Sequence, residues 1–291
     1  MFEKILVPVD FSRGAFTALD AVSQIPGVRE IVLLHVVYNR YPSKDPDQVP
    51  PKVRIAQIEL DKITRRLEMP GVTITPILKE ITGGEISTVI FQTAAQHAIS
   101  LIIMGRRGTG IIDTLLLGSV SSDVLRYGRS HLLLISTPFV YHKKTPKPES
   151  PHPALFSHVL VCTDFSEPEI AAICFNELPW IQRVSLFHVV TSGETVDEIH
   201  TAVTEAEQRL ARFQDMFSDH GIPTRIHVAV GGAVEEILSF SQKEDISLIL
   251  MKSAGKKSFL NILIGSTSAP VVRNTTIPVL IFRNASLIRS E

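Results

Sequence analysis

The chain is written twice, and that repetition restricts the possible folds more than any other feature. The stretch Ile5-Leu6-Val7-Pro8-Val9-Asp10-Phe11-Ser12 recurs as Val159-Leu160-Val161-Cys162-Thr163-Asp164-Phe165-Ser166. Leu34-His35-Val36-Val37 returns as Phe187-His188-Val189-Val190, and Gly84 through Ile90 as Gly231 through Ile237. Leu101–Met104 matches Leu248–Met251, and Gly118-Ser119 matches Gly265-Ser266. The offset is 154 at the aspartate, 153 at the histidine and 147 from Gly84 onward. Matched segments in one order, drifting only by a shortened connection, are a duplication: what one half folds into, the other folds into as well. A chain of 291 residues divides naturally into two such domains.

Within the first copy, apolar runs of strand length alternate with segments of helical spacing. The runs are Lys4–Val9, Ile31–Val37, Thr73–Leu78, Leu101–Met104 and Leu132–Ile135, and the helical segments are Ala15–Ser23, Pro51–Leu67, Glu85–His97 and Ser119–Tyr127. Strands of nearly continuous Val, Ile and Leu belong in a parallel sheet covered by helices on both faces. The expected fold is therefore α/β, as two tandem doubly wound five-stranded parallel-sheet domains. Proline-dense sequence between the copies, with Pro146, Pro148, Pro151 and Pro153, favours an extended, semi-rigid connection. Residues 1–138 are assigned to the first domain, 139–155 to the linker and 156–284 to the second domain.

Several function classes are disfavoured by composition. The formal net charge is -1, so no overall basic field draws the chain to nucleic acid or anionic lipid. The two cysteines, Cys162 and Cys174, sit in an apolar run and a helical pattern, which reads as inert thiols. No Cys/His/Asp cluster has metal-ligand spacing, and no catalytic residue set stands out. The N-terminus enters a strand pattern directly and no apolar run approaches membrane-span length, so the expectation is a cytoplasmic protein with no membrane partner.

Doubly wound sheets bind ligands beyond the carboxyl ends of their strands, where strand order reverses. Two segments of copy one fall there. Asp10, just past the first strand, either accepts a hydrogen bond from a ribose hydroxyl or adenine amine, or caps the helix that starts near Ser12. Beyond Met104 come Gly105, Arg106, Arg107 and Gly108, then nine residues, then Gly118-Ser119 at the start of a helical pattern. Glycines let phosphate oxygens approach backbone amides, and a helix start adds unpaired amides and the positive dipole end. The alternative is a plain turn with Ser119 as a cap. There is no P-loop signature and no G-x-G-x-x-G after the first strand.

The segments Val7–Ser12 and Leu34–Val36, with the G-x2-G-x9-G-[ST] spacing of Gly105, Gly108, Gly118 and Ser119, resemble the universal stress protein family, ATP-binding branch, over nearly all of both halves. The resemblance implies a universal stress protein fold (adenine nucleotide alpha hydrolase-like) and an ATP, ADP or AMP, with Mg accompanying ATP. Its site residues in the first domain are Pro8, Val9, Asp10, Val36, Met104, Gly105, Arg107, Gly108, Gly118, Ser119, Val120 and Ser121. The second-domain counterparts are Thr163, Asp164, Val189, Met251, Lys252, Gly255, Gly265, Ser266, Thr267 and Ser268. It also implies pairing of the two domains through their last strands, Leu132–Ile135 and Pro278–Phe282, and leaves further homodimerisation open.

Copy two departs at Lys252, which stands where copy one has Gly105. A side chain there either strains a position that needs positive φ or close phosphate approach, or offers an ammonium to a phosphate oxygen. Arg106 and Arg107 either neutralise phosphate charge or lie in a solvated loop, as do Lys256 and Lys257 in copy two. His35 and His188, within apolar strands, read as neutral hydrogen-bonded core residues. The segment Glu194–His220 reads as a helix with an exposed, ion-paired face. The functional expectation is an adenine-nucleotide-binding stress-response or regulatory protein. A slow Mg-dependent ATPase and a nucleotide-free interaction scaffold stand as alternatives.

Overall fold

The computed structural model describes residues 2–40, 49–106, 117–136, 155–166, 180–253 and 264–283. It divides into two compact units, one built on Phe2–Thr137 and the other on Pro138–Arg283. Unit one comprises β1 (Lys4–Pro8), α1 (Arg13–Val22), β2 (Glu30–Tyr38), α2 (Pro51–Arg66), β3 (Thr73–Ile81), α3 (Ile86–Gln96), β4 (Leu101–Gly105), α4 (Ser119–Tyr127) and β5 (His131–Ile135). In unit two the described elements are β6 (Val159–Cys162), β7 (Val184–Val190), α5 (Val196–Asp219), β8 (Thr224–Val230), α6 (Ala233–Lys243), β9 (Leu248–Lys252), α7 (Ser268–Asn274) and β10 (Val279–Phe282). The expected alternation of strand and helix forms throughout the described residues of unit one and from β7 onward in unit two.

All strand pairs within a unit are parallel, in the order β3-β2-β1-β4-β5 in unit one and β8-β7-β6-β9-β10 in unit two. The central strands are apolar along their length because helices cover both faces: Ile5, Leu6, Val7, Leu101, Ile102 and Ile103 have 0–1% of their surface exposed. The flanking strand β3 differs. It mixes exposed and half-buried residues with no buried one, and it holds Pro76, a residue without an amide to donate, which an edge position tolerates.

Strand order reverses between β1 and β4 in unit one, and between β6 and β9 in unit two. Each unit therefore has one crevice, beyond the carboxyl ends of those two neighbouring strands, where loops leave in opposite directions. Cys162, at the end of β6, is buried, and burial pushes its thiol far above the ordinary range, in keeping with an inert side chain. Cys174 and linker residues 139–154 lie outside the described residues, whereas Leu155, the last residue assigned to the linker, is buried and its carbonyl accepts from Ser247 Oγ at 2.9 Å.

Candidate functional site at the switch point

The β1 end of the crevice is a tight turn. Val9 donates its amide to the Leu34 carbonyl at 2.8 Å, extending the strand pairing by one residue. Asp10 is exposed, and its Oδ1 accepts the Ser12 amide at 3.0 Å. Ser12, not Asp10, is the helix cap: its Oγ accepts the Ala15 amide at 3.2 Å. Between them Phe11 adopts a left-handed backbone, φ 60°. For a bulky residue this costs on the order of 1–3 kcal/mol and persists only where the surroundings enforce it. Here His35 enforces it, with its ring stacked on Phe11 at 4.2 Å. The hydrogen-bonded reading of His35 is met: the residue is half-buried and its Nδ1 lies 2.6 Å from the Val9 carbonyl. Val36 follows on β2, half-buried.

The β4 end meets the start of α4. Met104 and Gly105 are buried. The frame of the glycine segment is closed by the Gly118 amide donating to the Arg106 carbonyl at 2.9 Å, and by Ser121 Oγ donating to the Gly105 carbonyl at 3.0 Å. Ser121 hence spends its hydroxyl proton on the frame. The first intrahelical bond of α4 runs from Ser122 to Gly118 at 2.8 Å, so the amides of Ser119, Val120 and Ser121 precede it. Their cap, Gly118, has no side chain to satisfy them. Ser119 is exposed and Val120 half-buried. The result is a set of amide donors at the positive end of a helix, opening on the crevice edge that also carries Asp10. Arg107 and Gly108 lie outside the described residues.

Three positions that the sequence left open are defined here. Gly105 is not left-handed; the described glycines with positive φ are Gly27, Gly71, Gly84, Gly221 and Gly231. A Cβ at Gly105 would stand 2.6 Å from the carbonyl carbon and oxygen of Gly14, so the glycine lets β4 touch the first turn of α1. Correspondingly, Lys252 is not strained in φ, because it continues β9 as an ordinary strand residue. Arg106 does not lie in a solvated loop: it is 6% exposed and donates from Nη1 to Ser136 Oγ at 2.9 Å.

Unit two repeats the main bonds of the frame. Thr163 donates to the Phe187 carbonyl, Ser166 to Asp164 Oδ1 at 2.9 Å, and His188 Nδ1 lies 2.8 Å from the Thr163 carbonyl. Phe165 is left-handed at φ 57° and packs on His188 at 4.4 Å. Gly265 donates to the Ser253 carbonyl, and Ser268 Oγ to the Lys252 carbonyl at 2.8 Å. Burial also corresponds: Val189 is half-buried, Met251 buried, Ser266 exposed, Thr267 half-buried and Ser268 buried. Gly255 lies outside the described residues, with Lys256 and Lys257.

Comparison with known proteins decides the family. The universal stress protein family model matches residues 1–136 and 155–283. The chain belongs to the universal stress protein family. Among relatives, the universal stress protein Slr1230 of Synechocystis is 29% identical over 182 residues, 60% of this chain and 59% of its own length. A Mycolicibacterium smegmatis universal stress protein is 22% identical over 291 residues, 96% of each chain. The crystal structure of an Archaeoglobus fulgidus universal stress protein superposes with a TM-score of 0.66, covering 97% of this chain and 96% of its own at 22% identity. The tandem α/β fold is thereby shown as the family's own.

The sequence did not single out Phe11, Phe165, Gly14 or Arg209 as parts of the site. The two phenylalanines lay inside the repeated segment, and their recurrence was the available signal. Among the described residues no group of three or more His, Cys, Asp or Glu side chains is placed to hold a metal ion, and no helix is long and apolar enough to cross a membrane.

Proposed function

We propose that unit one is an adenine-nucleotide receptor, ATP foremost, and that the protein acts in a stress response by binding rather than by turning over its ligand. The observation that carries this reading is the pairing of uncapped amides at Ser119, Val120 and Ser121 with the turn that presents Asp10, on either side of one strand-order reversal. The amides suit phosphate oxygens, and the free Asp10 oxygen suits a ribose hydroxyl or an adenine amine. Pro8, Val9, Val36, Met104 and Gly105 supply the walls between them. Arg107 and Gly108 complete the segment by sequence, and any Mg would travel with the triphosphate. Unit two, through Thr163, Asp164, Val189, Met251, Lys252, Gly255, Gly265, Ser266, Thr267 and Ser268, is proposed as a weaker second receptor, its helix α7 having 7 residues where α4 has 9.

Binding raises folding stability by RT ln(1 + [L]/Kd), about 2.7 kcal/mol at a hundred-fold excess over Kd. A melting titration of the full chain with ATP, ADP, AMP and cyclic AMP, with and without Mg, is expected to show the largest shift with ATP. Gly118→Val, which places a β-branched side chain over the amides, is expected to erase it. Indifference of the melting temperature to every adenine nucleotide sinks the reading. Mass analysis of bound nucleotide per chain separates one receptor from two.

A further inference from the structure

The turn after the first strand of each unit is held by groups remote from it in sequence, and differently in the two units. In unit one, His35 contacts both flanks of Asp10. Its Nδ1 faces the Val9 carbonyl, an acceptor only, so that nitrogen carries the proton and donates at 2.6 Å. Its ring lies against Phe11 with an interplanar angle of 27°. Asp10 then fixes Ser12, and Ser12 fixes Ala15. One imidazole therefore sets the backbone on both sides of the carboxylate proposed to face the ligand.

Unit two has the same histidine and a second clamp. Arg209, on α5, donates from Nη2 to the Phe165 carbonyl at 3.3 Å, and its guanidinium carbon stands 4.1 Å from the centre of the Phe165 ring. Ala206 and Leu210 of α5 are buried as Ala56 and Leu60 of α2 are, which aligns Arg209 with Glu59. Glu59 is engaged elsewhere, with Lys62 at 2.7 Å. The consequence is visible in burial: Phe165 is buried, whereas Phe11 is half-buried.

We propose that His35 is the positioning residue of the unit-one site, holding Asp10 through the Val9 carbonyl and the Phe11 ring, and that unit two divides this task between His188 and Arg209. The proposal rests on the nucleotide reading only for its effect on affinity, because the turn itself is observable without ligand.

Amide hydrogen exchange and nucleotide titration on the full chain test both parts. His35→Ala is expected to speed exchange at Ser12 and Ala15 about ten-fold and to weaken ATP binding by a similar factor, as displaced positioning groups do. His35→Asn, whose side-chain amide offers an N–H where Nδ1–H lies, is expected to bring both within about three-fold of the parent protein. His188→Ala alone is expected to move Ser166 exchange less than about three-fold, and His188→Ala with Arg209→Gln to move it about ten-fold. Protection of the β5 amides reports whether His35→Ala remains folded. If it does not, Phe11→Leu, which removes only the stack, is expected to speed Ser12 exchange in the same direction. Unchanged Ser12 exchange in a folded His35→Ala, failure of His35→Asn to recover, or His188→Ala alone matching the double variant each overturns the proposal. Absence of ATP binding by the parent protein instead overturns the nucleotide reading and leaves the exchange results standing.

Discussion

The ends of β4 and β9 are the same piece of architecture carrying opposite residues, Gly105 and Lys252. In unit one the glycine is pressed against the backbone of Gly14, so the strand end and the first turn of α1 are in contact without any side chain between them. In unit two the residue aligned with Gly14 is Pro168, outside the described residues, and the strand end bears a lysine. Two glycines have been exchanged together for two larger residues. Yet the bonds that frame the segment beyond, from Gly118 and Ser121 in one unit and Gly265 and Ser268 in the other, are alike. The frame of the site is thus independent of the glycine. What the glycine sets is how closely the first helix approaches.

That contrast breaks most directly at Gly105. Adding a methyl there drives a Cβ to 2.6 Å from main-chain atoms that have no rotamer to change. Overpacking of this kind costs about 1–3 kcal/mol, and backbone against backbone belongs at the upper end. Gly105→Ala is accordingly expected to lower the stability of unit one by about 3 kcal/mol in the absence of any nucleotide. Lys252→Ala, at a position that already accommodates a side chain, is expected to cost under about 1 kcal/mol. Unit-resolved hydrogen exchange during thermal unfolding measures both. A silent Gly105→Ala would return the glycine to a purely ligand-facing role.

The serines sharpen the shared half of the comparison. Ser121 and Ser268 are each 4% exposed and each donate to the carbonyl that ends the neighbouring strand. Deleting the donor leaves a buried acceptor short of a partner, at about 1–3 kcal/mol. Ser121→Ala and Ser268→Ala are therefore expected to destabilise their own units by equal amounts within about 0.5 kcal/mol. Unequal losses in the same exchange measurement would mean that the frames differ despite matching bonds.

Much of this was legible in the residues, for identifiable reasons. The duplication and the parallel sheets followed from hydrophobic runs, which are local and survive substitution; helix α4 was placed at Ser119–Tyr127 to the residue. Asp10 and Gly118 were located because strand ends and helix starts are sequence features. The residues whose surroundings the sequence leaves open all depend on contacts distant in the chain. Gly105 meets Gly14, Arg106 meets Ser136, and Phe11 is held left-handed by His35. An aromatic residue gives no local sign of positive φ, and an arginine beside glycines carries no sign of burial.

The smallest expected effects lie at the opposite ends of β1 and β6, where the units again solve one problem with different chemistry. Ser100 and Ser247 donate to the carbonyls of Lys4 and His158, so the two positions correspond. Lys4 is exposed and pairs with Glu30 at 2.9 Å. His158 is 4% exposed, with Nδ1 against the Asp245 carbonyl at 3.0 Å and Nε2 against Ser185 Oγ at 2.9 Å. Burial, and secondarily the charge of Arg183, hold the imidazole below its ordinary value of 6.5. The unfolded chain therefore takes up a proton at higher pH than the folded one. Stability from the neutral ring is complete above 6.5 and declines as pH falls below it. His188 and His227, also lowered chiefly by burial, act in the same direction. His158→Asn is thus expected to flatten, without abolishing, the loss of unit-two stability between neutral pH and the acid side of that window. Lys4→Met, breaking a solvent-screened pair, is expected to change unit one by less than about 0.5 kcal/mol and to lose even that in high salt. A steep acid slope that survives His158→Asn unchanged would move the proton uptake to His188 and His227, and so from this end of the sheet to the rest of unit two.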